Sequence, residues 1–149
     1  MNVFGLPLHP LVVHAVVILV PLAALGALLV VALPRLRPAY GWLTVAFAAA
    51  GAASAIVARI SGQALAEDLA LTNSARVARH MALGAWTPWP TLVLALSLAG
   101  FTWATRHRGE DRKVTLVRVS GAATVVAAVV SLVLVGLTGH AGAAAVWGT

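Results

Sequence analysis

Residues 10–33 read "PLVVHAVVILVPLAALGALLVVAL", with no acid, Lys or Arg anywhere in the run. A helix of about 20 such residues crosses a hydrocarbon core, and no other packing hides so much apolar surface on every side. Three more runs follow: residues 41–60, interrupted only by Arg59; residues 81–105; and residues 114–137, with Arg118 near the start. A soluble bundle would carry a charged outer face on each helix. These runs are apolar all round, which predicts an all-α fold, a four-transmembrane-helix antiparallel bundle in one membrane domain spanning residues 1–149. The longest polar connection is expected at 61–80. No internal repeat is evident, and no appended soluble domain is expected.

Composition agrees, with 61% hydrophobic and 9% charged residues where soluble domains carry about 25% charged. The net charge of +6 does not indicate nucleic acid, because the basic residues sit in short loops, as membrane topology requires. Arg35, Arg37, Arg106, Arg108, Arg112, Lys113 and Arg118 fall on one side, and Arg59, Arg76 and Arg79 on the other. This asymmetry puts the short connections in the cytoplasm and both termini outside. Tyr40, Trp42 and Trp103 fit an aromatic belt at the cytoplasmic level. The first run has no basic residue before it and no clear cleavage site after it, so it is expected to be retained as a helix. Cysteine is absent, which excludes disulfides, thiolate metal sites and covalent c-type haem attachment.

The histidines are the candidate site. His9 and His14 open the first run, His80 the third, and His140 follows the fourth. Of five histidines, all but His107 thus fall on one membrane face, and His107 reads as a solvated loop residue. Imidazole is the commonest neutral metal ligand, and bundles build cofactor sites from facing helices. A b-type haem needs two axial donors at matched depth, an apolar slot and a cation for its propionates. His14 and His80 meet the depth requirement, with Arg59 as the propionate partner. His140 is the alternative to either, or a partner for His9, and Met81 is a conceivable sixth ligand. The prolines of "GAWTPWPTL" remove backbone donors and predict a kink below His80, with Trp86 and Trp89 as cavity walls. The competing reading of Arg59 is a snorkelling side chain or an ion pair with Glu67 or Asp68. The small residues Gly51, Ala55, Ala58 and Gly62 form a stripe suited to close helix packing.

A bare copper or zinc ion held by the same imidazoles is the alternative to haem, as is a non-catalytic scaffold with structural or pH-sensing histidines. Acids near the histidines are few, and no triad or phosphate-binding glycine loop is present, so an electron-transfer or binding subunit is expected rather than a stand-alone enzyme.

"LPLHPLVVHAVVIL", "SGQALAEDL", "ARHMALGAW" and the closing "TGHAGAAAVWG" together resemble the bacterial membrane-protein family catalogued as domain of unknown function 2231. On that resemblance His9, Pro10, His14, Gly62, His80, Gly139, His140, Gly142 and Trp147 fall on motif positions. The chain departs from the family at Ala15-Val16, where an aromatic and a proline are usual, and at Ala143, where a second glycine is usual. Some relatives continue into a Rieske iron–sulfur domain. The resemblance therefore implies a bacterial cytoplasmic (inner) membrane and redox work beside the membrane helices, with a Rieske-type or cytochrome protein as partner. The lipid bilayer is the expected surroundings of the spans, and an oligomer is a further expectation.

Overall fold

The computed structural model describes residues 2–3, 5–71, 73–106 and 111–148. His107 and Arg108, discussed above, lie outside them, as do the side chains of Arg112 and Lys113. The protein is all-α, with four helical spans long and apolar enough to cross a membrane. A pair of two-residue strands, β1 (Asn2–Val3) and β2 (Leu6–Pro7), precedes helix α1 (Leu8–Ala32). Helix α2 covers Arg37–Asp68, α3 Ala75–Trp86, α4 Pro88–Arg106 and α5 Asp111–Trp147. Helices α3 and α4 together make the third span.

Proline and arginine set the turn between α1 and α2. Pro34 cannot continue the ladder, so α1 ends at Ala32 and a single 3-10 turn, Pro34–Leu36, reverses the chain. Two orphan carbonyls of α1 are then capped by Arg37, whose Nε donates to Val30 O at 3.1 Å and whose Nη2 donates to Val31 O at 2.8 Å. The same guanidinium lies 4.9 Å from the centre of the Phe101 ring. Arg106 Nη2 donates to Pro38 O at 2.8 Å, joining the end of α4 to the start of α2. These two arginines hold helix ends together as well as carrying charge.

The helices outrun the expected spans. Helix α2 continues to Asp68 and α3 begins at Ala75, so the connection expected over 61–80 shrinks to 69–74. "QALAED" consists of good helix formers with no breaker. The turn closes at Ala70, at φ 52, with Leu71 N–H bonded to Ala66 O. Helix α5 likewise runs to Trp147, which puts His140 inside a helix. The proline kink falls at Thr87, between α3 and α4, where Thr87 Oγ1 donates to Leu83 O and Thr91 Oγ1 to Pro88 O.

Packing is by small residues turned inward, with large ones left outside. The central cluster is Ala23, Ala24, Ala27, Val30, Ala48, Leu94, Ala95, Leu98, Phe101, Ala127 and Ala128. Ile18, Leu25, Leu96 and Val126 are each more than half exposed. Lipid tails are as apolar as leucine, so the bundle is stabilised by close van der Waals fit and helix–helix hydrogen bonds. Gly51 meets Val20, Gly26 meets Thr44, Gly41 meets Thr102 and Gly121 meets Phe101. Helix α1 packs on α2 and α5, and α4 also packs on α2 and α5, so α1 and α4 stand diagonally in a four-membered ring.

The bundle is an internal repeat, which the sequence concealed. The buried residues of α1, namely Val16, Val20, Ala23, Ala24, Ala27 and Val30, correspond at one constant offset to Thr87, Thr91, Leu94, Ala95, Leu98 and Phe101, all buried. In α2, Gly41, Thr44, Ala48, Gly51, Ala55 and Ser61 correspond at a second constant offset to Gly121, Thr124, Ala128, Ser131, Val135 and Ala141 of α5, again all buried. Contacts repeat too. Gly26 against Thr44 in the first hairpin becomes Ser97 bonded to Thr124 at 3.1 Å in the second.

Candidate functional site

His9 and His80 occupy equivalent positions in the two halves. His9, in the first turn of α1, donates from Nδ1 to Ala58 O at 2.9 Å. His80, in α3, donates from Nδ1 to Thr138 O at 3.0 Å. A carbonyl only accepts, so in each ring Nδ1 carries the proton and, in the neutral form, Nε2 keeps its lone pair. Each ring also lies against a glycine one turn beyond its carbonyl partner. A Cβ on Gly62 would stand 2.8 Å from His9 Cε1, and one on Gly142 would stand 3.1 Å from His80 Cε1. Only glycine lets imidazole lie this close to the neighbouring helix.

The two rings meet edge-on, with centroids 6.1 Å apart and planes at 76°. Both side chains are half-buried. Behind His80, Thr138 and Thr87 share a hydroxyl–hydroxyl bond of 3.3 Å that ties α5 to the kink. Ala58 has no hydroxyl, so the first hairpin lacks this bond.

The other sequence candidates do not join the pair. His14 is exposed and its Nδ1 donates to Pro10 O of its own helix at 2.6 Å. It shares its face with exposed Leu11, Ile18 and Leu25, the surface turned away from the bundle. His140 is exposed on α5. Trp86 is 66% exposed and Trp89 also points outward. Arg59 is exposed, in a groove between α2 and α4 whose walls include Trp89 and contain no histidine. Glu67 accepts from Gln63 rather than from Arg59. Met81, next to His80, is half-buried. Among the described residues no three His, Asp or Glu side chains gather as a metal site.

Spans and matched depth point to a histidine pair, but not to which pair. The pairing depends on the carbonyls of Ala58 and Thr138, which no side-chain pattern displays. One signal was present: Ala58-x-x-Ser61-Gly62 and Thr138-x-x-Ala141-Gly142 share a spacing of small residues, each opposite a histidine that opens a span.

Fold and site together define a four-helix integral membrane protein with an opposed, tautomer-fixed histidine pair at one end. The chain belongs to the family described as "Predicted membrane protein (DUF2231)", which matches residues 5–149. No curated protein and no solved structure matches it.

Proposed function

We propose that the protein binds a metal centre through Nε2 of His9 and Nε2 of His80, and that this centre is the iron of a b-type haem serving electron transfer. The observation that carries the reading is the pair itself: two imidazoles from separate hairpins, opposed at one depth, each with Nδ1 engaged. With bonds of about 2.0 Å to an ion, and about 1.2 Å from nitrogen to ring centre, two opposed imidazoles sharing one ion have centroids about 6.4 Å apart. The observed 6.1 Å lies within a few tenths of an ångström of that separation. A backbone acceptor on Nδ1 is the usual support for a histidine that ligates through its other nitrogen. In this reading the haem would supply the one-electron chemistry, while the protein orients both rings through the carbonyls of Ala58 and Thr138. His9 and His80 would hold the iron, in place of the His14 and His80 pair expected from the sequence.

The orientation follows from the basic residues, with the histidine end outside and the arginine-rich connections in the cytoplasm of a bacterial inner membrane. The electron partner in this reading is a Rieske-type or cytochrome protein at the outer face.

A bare copper ion on the same two nitrogens is the second reading. It is favoured by Arg59 and Trp86, the expected propionate partner and cavity wall, both of which face away from the pair. Imidazole suits copper as well as iron.

The test is a reduced-minus-oxidised spectrum, with metal analysis, of protein purified from haem-replete cells. A Soret band and sharp reduced α band, lost in His9→Ala and in His80→Ala but kept in His14→Ala and His140→Ala, is the expected result. Copper without a Soret band selects the second reading. A colourless, metal-free protein rejects both and leaves the histidines as interhelical ties.

A further inference from the structure

We propose that the groove between α2 and α4 binds a phospholipid of net negative charge, with its phosphate on Arg59 and one acyl chain along Ile56, Ile60 and Leu92 beside Trp89. The groove has a volume of about 340 Å³ and opens to the outer surface of the bundle. Its walls are apolar apart from Arg59 and Gln63, and no acid lines it.

Three observations select this occupant. Arg59 makes no hydrogen bond or ion pair with any described residue, so its guanidinium stands in an apolar groove with no acidic partner among those residues. A guanidinium offers a fork of donors matched to phosphate oxygens. The second observation is depth. Helix α2 rises about 28 Å between the exposed Tyr40 and Arg59, close to the thickness of a hydrocarbon core. With Tyr40 in one aromatic belt, Arg59 lies at the headgroup level of the opposite leaflet, where Trp89, exposed beside it, also sits comfortably. Third, Gln63 stands one turn above Arg59 and donates through Nε2 to Glu67 at 3.2 Å. Its Oε1 remains as an acceptor for a headgroup hydroxyl, as in phosphatidylglycerol. Glu67 lies one turn further out and does not line the groove. A side chain that merely snorkels into water would need neither the groove nor a preferred lipid.

The experiment is native mass spectrometry of the full chain released from detergent, titrated with phosphatidylglycerol and with phosphatidylcholine of the same acyl chains. The expected result is one tightly retained phosphatidylglycerol per chain, favoured about fivefold over phosphatidylcholine, the value of one basic residue near an anionic surface. Arg59→Gln should abolish the preference, and Leu92→Trp, which fills the groove but keeps the charge, should reduce binding of both lipids. Unchanged helical circular dichroism shows that each variant is folded. The proposal is overturned if wild type holds the two lipids alike, if Arg59→Gln keeps the preference, or if the retained molecule is a neutral amphiphile that phosphatidylglycerol does not displace. The wild-type comparison decides even if a variant fails to fold.

Discussion

His9 and His80 open different hairpins, yet their ring centroids are 6.1 Å apart, and each ring is held by the same pair of features, a carbonyl and a glycine one turn on. The internal repeat explains this. Two copies of a helical hairpin, related about the bundle axis, bring equivalent residues together at that axis. A histidine that begins the first helix of each copy must therefore meet its counterpart.

The glycines should be the most sensitive positions around the pair. Overpacking a tight contact costs about 1–3 kcal/mol. Gly62→Ala places a methyl 2.8 Å from His9 Cε1 and 2.9 Å from Nδ1, whereas Gly142→Ala meets His80 at 3.1 Å. Gly62→Ala should therefore be the more damaging. Gly139→Ala, with nothing within 4 Å of the new methyl, should be neutral or stabilising by up to about 1 kcal/mol from helix propensity. Equilibrium unfolding in mixed micelles ranks the three, and equal costs would mean that the rings do not rest on these glycines.

The tautomers can be observed directly. Nitrogen-15 spectra of the histidine side chains should show His9 and His80 protonated at Nδ1, since each of these atoms faces a carbonyl oxygen. Adding copper(I) should move both Nε2 resonances and leave both Nδ1 protons in place. Loss of the Nδ1 protons would assign ligation to the wrong nitrogen.

Much of the fold was legible because membrane spans follow from length and apolarity alone. The span ends were less so. Residues such as Gln63 and Glu67 are polar but good helix formers, and they carry α2 beyond the membrane level that hydropathy marks. The site was half legible. Matched depth gathers His9, His14, His80 and His140 at one end, but each helical residue turns about 100° from the last, so depth alone does not separate inward from outward faces. His14 points out because it shares a face with Leu11 and Ile18, while His9 points in because Gly62 leaves room for it. The repeat went unseen because small and aliphatic residues substitute freely in packed interfaces: Val16 matches Thr87, and Ala27 matches Leu98. Burial is what the two copies share.

Arg37 should contribute more than topology. Arg37→Met removes two hydrogen bonds to the end of α1 and the contact with Phe101, with an expected cost of about 1–3 kcal/mol for donors lost from a partly buried helix end. Arg37→Lys keeps the charge but not the planar fork, and should recover only part of that. In a double-mutant cycle with Phe101→Leu, a coupling of about 0.5–2 kcal/mol is expected. Zero coupling would mean that the Phe101 contact contributes nothing and that the two carbonyl hydrogen bonds carry the effect of Arg37.

The two copies also differ in polarity, and the difference can be tested by substituting one for the other. Along the α4–α5 seam the second copy carries Thr91, Ser97 and Ser131 where the first has Val20, Gly26 and Gly51. The single O–H of Thr124 lies within reach of two acceptors, Ser120 O at 2.7 Å and Ser97 Oγ at 3.1 Å. Ser131 is fully buried and its Oγ has no partner among the described residues. A desolvated hydroxyl without a partner costs about 1–3 kcal/mol. Ser131→Ala should therefore raise stability, by up to that amount. Thr124→Val should lower it by roughly 0.6 kcal/mol, the mean for such interhelical bonds in membranes. Opposite signs at two buried hydroxyls on one helix, read in the same unfolding titration, would show that hydrogen bonding rather than polarity alone decides the contribution of each. If Ser131→Ala destabilises, its hydroxyl has a partner in the membrane, and an ordered water in the seam becomes the explanation to test by hydrogen exchange.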